Sequence, residues 1–297
     1  MAIGILIMLY SASTGAQVTF DWAVINDPDN APDPRSGNIL GSVAYEYRMA
    51  TAEVTNSQYA EFLNAVAVED PHGLYSTKMA DVAGSLLRNG SSGSFSYTTV
   101  VGRADHPVVF VSHFDAMRFT NWLHNGQGQG NTENGVYDIS DGLVETRSSG
   151  ASYFLPSENE WYKAGYYQHS SDGGPRGNFW LYPNSENSEP VPGVDGNFED
   201  AVGDTTPVGS YSANYHGLYD MAGNVWEMNE ATSLFGRGVI GGSWDDFTGF
   251  MRSNYRAAVL PSVESYDLGF RLASPIPCPA SLALLTLCMP ALVQRRR

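Results

Sequence analysis

The residues of this chain that could do chemistry gather in one stretch, Gly217–Ala273. It holds a Gly-Asn-Val-Trp-Glu turn (Gly223–Glu227), a Gly-Gly-Ser-Trp turn (Gly241–Trp244), an Arg-Ser-Asn-Tyr-Arg run (Arg252–Arg256) and a Gly-Phe-Arg ending (Gly269–Arg271). The glycines permit backbone conformations that other residues find strained. The tryptophans offer large buried area with one polar handle each, and arginines in an acidic chain are expected to bond to loop carbonyls and carboxylates. Ser243 has the oxygen of a nucleophile, yet no histidine is placed by the sequence to activate it; packing or a loop hydrogen bond is the simpler role. Glu158 and Glu160 could be read as an acid/base pair, but helix capping accounts for them more simply. His113 and His124 are spaced too widely to share one helix face as a ligand pair, and His72 reads as a loop residue. The chain has 2 cysteines, Cys278 and Cys288, both in the C-terminal tail. The region before them therefore has no internal disulfide, no cysteine nucleophile and no cysteine metal site.

Three helices are predicted to position this stretch. Thr55 and Gln58 form a capping box for the first, with Tyr59, Phe62, Leu63 and Val66 on one apolar stripe. Ser112 caps the second, Asp115 complements its dipole, Ala116, Phe119 and Leu123 line its inner face, and Gly126 ends it. Ser157 and Glu160 box the third, and Trp161 and Ala164 begin its buried stripe. Strands are expected over Ser42–Met49, near Phe95–Val101 in a hairpin, and over His106–Ser112 leading into the second helix. Asp27–Arg35 reads as loop, and residues 168–215 carry little regular pattern. A loop that long inside a compact domain is functional or tied down. The glycine run Gly126–Gly130 follows a helix instead of opening one, so it is not a phosphate loop.

The 297 residues suit one large domain or two small ones, and a composition rich in Gly, Tyr, Trp and Phe suits a turn-rich globular fold. A formal net charge of -16 repels phosphate backbones and argues against nucleic-acid binding, while carboxylates suit calcium. Both ends read as processing signals. Residues 1–16 carry an apolar run and then Ser-Ala-Ser-Thr-Gly-Ala, the pattern of a secretory signal. In the tail, an apolar run over Ala280–Val293 is short for a membrane span and is followed by three arginines. The tail resembles the bacterial PEP-CTERM sorting signal, read by an exosortase-type enzyme during export, with Pro-Ile-Pro-Cys-Pro standing where Pro-Glu-Pro is expected. The organisation is thus a signal peptide (1–16), one domain (17–273) and a sorting or membrane tail (274–297), and the expected location is the surface, outer envelope or matrix of a bacterium, with membrane contact only through the tail.

The four motifs of Gly217–Ala273, together with Glu53–Asn56 (Glu-Val-Thr-Asn) and Leu155–Trp161 (Leu-Pro-Ser-Glu-Asn-Glu-Trp), resemble the sulfatase-modifying-factor family, whose best-known member is the formylglycine-generating enzyme. The resemblance covers about residues 42–273. It implies an irregular α+β fold related to C-type lectins, with few helices and small antiparallel sheets. It also implies two structural calcium sites. The first maps onto Asn197, Phe198, Asp200 and Val202, and the second onto Asp220, Gly223, Val225 and Glu227. Apart from the family, Glu227 could instead pair with Arg252, Arg256 or Arg271, and Asp200 could be a solvated turn residue. The family's oxidation of a sulfatase cysteine needs two cysteines that bind copper(I); the matching positions here are Asp246 and Met251. A carboxylate and a thioether make a poor site for a soft monovalent ion, so copper is not expected. The candidate cleft residues that remain are Trp226, Ser243, Trp244 and Asp246. The leading expectation is an exported, calcium-stabilised binding module for a surface glycan or an extended peptide. The alternative is a formylglycine-generating-type oxidoreductase or another metal-dependent enzyme of the family, with Asp245, Asp246 and histidines as ligands. A structural matrix protein is a third reading, suggested by the tail alone.

Overall fold

The computed structural model describes residues 17–81, 84–140 and 146–277. The segment expected to be a signal peptide (1–16) and all of the tail beyond Pro277 lie outside the described residues. In chain order the elements are β1 (Trp22–Ile25), β2 (Tyr47–Ala50), α1 (Asn56–Val66), β3 (Leu86–Asn89), β4 (Ser96–Thr99), α2 (His113–His124), α3 (Glu158–Tyr166), β5 (Trp226–Ser233), β6 (Gly236–Ile240), β7 (Ala257–Val259), β8 (Leu268–Gly269) and β9 (Ala273–Pro275). Among the described residues, no helix is long and apolar enough to cross a membrane.

The helices form where their caps dictate. Thr55, Ser112 and Ser157 each accept a hydrogen bond from the backbone N–H three residues on, and the side-chain oxygens of Gln58, Asp115 and Glu160 accept one from the cap's own N–H. The apolar stripes then face one another. Tyr59 and Phe62 of α1 meet Phe119 of α2 at ring-centroid distances of 5.9 and 5.4 Å, and Phe119 meets Phe270 at 5.5 Å. Trp161 of α3 is fully buried.

Strands are short, as expected of an irregular α+β fold. The sheets are β1-β2-β9, the hairpin β3-β4, and β7-β6-β5-β8. All pairs are antiparallel except β5 with β8, where Trp226 and Glu227 run parallel to Leu268 and Gly269. That parallel pair departs from the expected antiparallel sheets; it brings the Trp-Glu turn beside the Gly-Phe-Arg ending. Two strand expectations shrink. Ser42–Met49 forms a ladder only over Tyr47–Ala50, because the preceding residues bend. His106–Ser112 makes only an isolated bridge at Pro107, since proline lacks an N–H and Phe110 takes a left-handed φ of 59°. The hairpin near Phe95–Val101 is present, with Ser96–Thr99 paired to Leu86–Asn89.

Residues 168–215 contain one short 3-10 turn, Ser170–Asp172, and otherwise isolated bridges. Side chains and single backbone contacts hold them. Asn197 bridges to Gly223, where an added Cβ would lie 2.0 Å from the Asn197 carbonyl, so only glycine allows the approach.

Removing one cap should weaken the fold measurably. Ser157→Ala is expected to lower unfolding free energy by about 1 kcal/mol, read as a lower urea midpoint with unchanged slope; an unchanged midpoint would show that the α3 cap contributes nothing.

Candidate functional site

Two groups of side chains meet on either side of the Gly223–Glu227 turn. The inner group is buried charge. Glu227, on β5, is 1% exposed and Arg271, after β8, is 0% exposed. Arg271 Nε donates to Glu227 Oε2 at 2.6 Å and Nη2 to Oε1 at 2.5 Å. Trp161 Nε1 adds a third bond to Oε2 at 2.6 Å. Of the three arginines weighed for Glu227, Arg271 is the partner. Burial acts against the Arg271 charge, but Glu227 outweighs it and raises the guanidinium pKa.

Two further carboxylates approach the same guanidinium. Glu53, just before α1, is 2% exposed, and Asp220 is 5% exposed. Glu53 Oε1 accepts from Asn224 Nδ2 at 3.0 Å, and its Oε2 lies 4.0 Å from Arg271 Nη2. Asp220 Oδ2 accepts from the Gly209 N–H at 2.6 Å. Glu53 Oε2, Asp220 Oδ1 and Asn197 Oδ1 are buried without a hydrogen-bond partner. Burial pushes the Asp220 carboxyl up to about 6, and burial together with the Asp220 charge holds Glu53 well above the usual carboxylate range. Three carboxylates thus share one guanidinium in a dry interior, an arrangement short of positive charge.

The residues assigned to calcium by resemblance are therefore neighbours, though not equally free. Asp220, Gly223 and Val225 sit in one turn whose residues Asp220, Gly223 and Asn224 all have positive φ. Asp220 and Asn197 each present a vacant oxygen, the donor type a hard cation takes, whereas both Glu227 oxygens are occupied by Arg271 and Trp161. Asn197 and Phe198 are buried, while Asp200 and Val202 are exposed, with Asp200 at a φ of 53°. Glu53 offers the vacant carboxylate oxygen that sequence reasoning missed. Its only signal was the Glu-Val-Thr-Asn match, and no periodicity connects it to Asp220, 167 residues away (220 − 53).

The outer group is a turn and its aromatic surround. Ser243 is fully buried; its hydroxyl lies 2.6 Å from Asp246 Oδ2 and 2.8 Å from Asp245 Oδ1, and its N–H donates to Asp246 Oδ2 at 3.0 Å. No histidine contacts it, so its role is loop hydrogen bonding, as the sequence indicates. Burial raises the Asp246 carboxyl, opposed by the Ser243 bonds. Met251 is 0% exposed and packs with Tyr182, Phe198 and Ala222. Its methyl lies beneath Gly242, where a Cβ would be 2.6 Å from it at a φ of 75°. Trp226 stands 6.0 Å from Tyr255, and Trp244 stands 5.6 Å from Tyr266. Tyr266 donates to Asp245 Oδ2 at 2.6 Å. Among the described residues, Asp245, Asp246 and Asp267 form the one group of three or more potential ligands close enough to share an ion, and no histidine joins them. His113 is buried near Arg237, and burial lowers its pKa to about 3. The loop that the resemblance assigns to the first calcium is tied to this turn: Glu199 N–H donates to the Asp246 carbonyl and Asp200 N–H to the Trp244 carbonyl, each at 2.9 Å.

An irregular α+β scaffold, pinned by a buried Glu-Arg pair and carrying a Gly-Gly-Ser-Trp loop beside its Gly-Asn-x-Trp-Glu turn, defines a recognisable class of domain. The chain belongs to the sulfatase-modifying factor enzyme 1-like domain family (FGE-sulfatase), matched over residues 41–276. It is 28% identical over 198 residues to the formylglycine-generating enzyme of Streptomyces coelicolor, covering 59% of this chain and 54% of that protein. The chain thus spans about half the length of that relative. Two solved structures share the fold: CarF, at 23% identity, TM-score 0.57 and coverage of 87% of this chain and 99% of that one, and PvdO from Pseudomonas aeruginosa, at 20%, 0.51, 86% and 92%.

Two outcomes follow from the charge cluster. Glu227→Gln strands Arg271 and should cost about 3–5 kcal/mol, read by chemical denaturation; a loss below 1 kcal/mol would remove the pair from its structural role. In metal-free buffer, the Asp220 contribution to stability should fall as pH rises from near 3.8 to about 6, because the folded Asp220 binds its proton more tightly than the unfolded one. Glu53, whose carboxyl is raised further, carries the fall beyond that window, so Asp220→Asn should flatten the part between 3.8 and 6.

Proposed function

We infer that this domain is an exported binding module, stabilised by calcium, that does not perform the thiol-dependent oxidation of the formylglycine-generating enzyme. One observation carries the reading. Of the two positions that the resemblance assigns to copper(I), one holds a carboxylate folded onto Ser243 and the other a thioether sealed under Gly242. Neither supplies a thiolate, and a soft monovalent ion needs sulfur donors presented together.

The vacant oxygens of Asp220, Glu53 and Asn197 support calcium, whose positive charge would offset the buried carboxylates. Asp220, Glu53 and the carbonyls of Gly223 and Val225 would hold one ion, with Glu227 acting through Arg271. Asn197, Phe198, Asp200 and Val202 would hold the other. The ions would fix the loops without entering any reaction.

The surface around Trp226, Trp244 and Asp246 supports recognition of a glycan or an extended peptide. Phe247 is 71% exposed and Tyr266 39%, beside Asp245, Asp246 and Asp267. Aromatic faces among a few carboxylates suit stacking against sugar rings and hydrogen bonding to hydroxyls. The same three aspartates favour a second reading, a hydrolase or lyase with a hard divalent ion. The exported location rests on the apolar leader and the sorting-type tail.

Elemental analysis of the purified domain separates the readings. We expect calcium at one to two ions per chain, no copper, and no aldehyde formed from a cysteine-bearing sulfatase peptide. Restoring calcium at about a hundredfold its dissociation constant should add about 2.7 kcal/mol of stability per site, read as a rise in Tm over the chelated protein. Aldehyde formation, or a stoichiometric redox metal, would overturn the inference.

A further inference from the structure

We propose that the groove between β2 and the Arg147–Phe154 segment is a subsite for a neutral oligosaccharide. It lies apart from the Trp226–Asp246 surface, and the proposal rests on the binding-module reading above. The groove encloses about 670 Å3. That volume falls within the range of small-ligand sites.

Its walls offer what a sugar needs. Tyr45 is 47% exposed and Tyr153 lines the opposite side, presenting aromatic faces. Ser148, Ser149 and Ser152 supply short hydroxyls along the rim. The Tyr45 hydroxyl is held by Glu160 Oε1 at 2.8 Å and by Arg147 at 3.0 Å, so the ring has a fixed orientation. A rigid aromatic contact loses little freedom when a ligand arrives.

Arg48 supplies the polar anchor. It stacks on Trp22 at 5.0 Å, and its Nη2 donates to Ser274 Oγ at 2.8 Å. Arg48 is half-buried and lines the groove, so its guanidinium can donate to a ligand hydroxyl. The charge of Arg147 is met by Glu160 at 2.9 Å and Glu230 at 3.7 Å, and Glu46 lines the groove beside Arg48. The groove therefore has no surplus positive charge, and a chain of net charge -16 repels polyanions. A neutral ligand is the consistent choice.

The same geometry disfavours an extended peptide here. β9 ends its sheet, but Ala273 already exchanges two backbone hydrogen bonds with Phe154, and Pro275, the last residue of the strand, has no N–H to give to an added strand.

The test measures binding of neutral β-1,4-glucan, α-1,6-glucan and mannan hexasaccharides, and of a galacturonate hexasaccharide, to the full chain in calcium by titration calorimetry. At least one neutral sugar should bind. Tyr153→Ala should weaken it about tenfold, the loss of one aromatic contact, and Ser149→Trp, an exposed substitution that fills the groove, should abolish it with Tm unchanged. Trp244→Ala should leave it intact. Preference for the galacturonate overturns the proposal. So does loss of binding in Trp244→Ala with Tyr153→Ala and Ser149→Trp silent, an outcome that leaves the binding-module reading standing. Binding of no oligosaccharide by the intact chain also overturns it.

Discussion

The Glu227–Arg271 pair is the contact on which the remaining structure turns. Arg271 Nη2 donates to the Tyr219 carbonyl at 2.8 Å, and Nη1 reaches the Ala50 and Thr51 carbonyls at 3.4 Å. One guanidinium thereby joins the end of β2, the Asp220 turn and the start of β5, segments that share no ladder at that point. A buried ion pair contributes little net stability by itself, because desolvation offsets the attraction. Its role is specificity: a guanidinium with several donors in a fixed fork accepts one arrangement of carbonyls and carboxylate. Trp161 completes the set, so α3 is registered to the same point. Adding Asp220 and Glu53 makes the interior short of positive charge, and that shortage is what ties the architecture to a cation or to retained protons.

The outer turn uses the same logic on a smaller scale. In this chain the Gly-Gly-Ser-Trp loop is closed by Asp246 accepting from Ser243 and by Met251 filling the space beneath Gly242. Both residues stand where the resemblance places the family's reactive cysteines, and here both close the loop. Fold and site are specified by different residues. The aromatic pairs Trp226–Tyr255 and Trp244–Tyr266 stand outside that closure.

How much of this could be read from the sequence depended on the range of the interaction. The helices were legible because capping boxes and apolar stripes are local: Thr55 with Gln58 and Ser157 with Glu160 need only three residues of context. The strands were less so. Four-residue strands carry too few alternations to fix a boundary, and Pro107 with Phe110 at positive φ broke an extended run that looked continuous. At the site, the oxygen-rich turns and the absence of cysteine before residue 278 were visible in residue types. The choice of Arg271 over Arg252 and Arg256, and the arrival of Glu53 beside Asp220, were not. They depend on contacts 44 and 167 residues apart (271 − 227; 220 − 53), which no periodic pattern encodes.

The separation between anchoring and display bears on how such a domain can take up ligands. Residues 168–215 make almost no ladder, yet they are held: Asn224 Oδ1 accepts from the Thr206 N–H at 2.9 Å, Asn224 N–H donates to the Asn197 carbonyl at 2.7 Å, and Asn214 Nδ2 donates to the Ala164 carbonyl at 2.9 Å. These bonds are buried and point inward. The side chains that point outward, Phe247 and Tyr266 on one surface and Tyr45 and Tyr153 by the groove, make no direct contact with the Glu227–Arg271 pair. Changing them leaves the core network untouched, whereas changing Asn224 or Arg271 releases several segments at once. A loop-built surface on a charge-pinned interior can therefore change its outward side chains without refolding, because the residues displayed are other than those that hold the domain together.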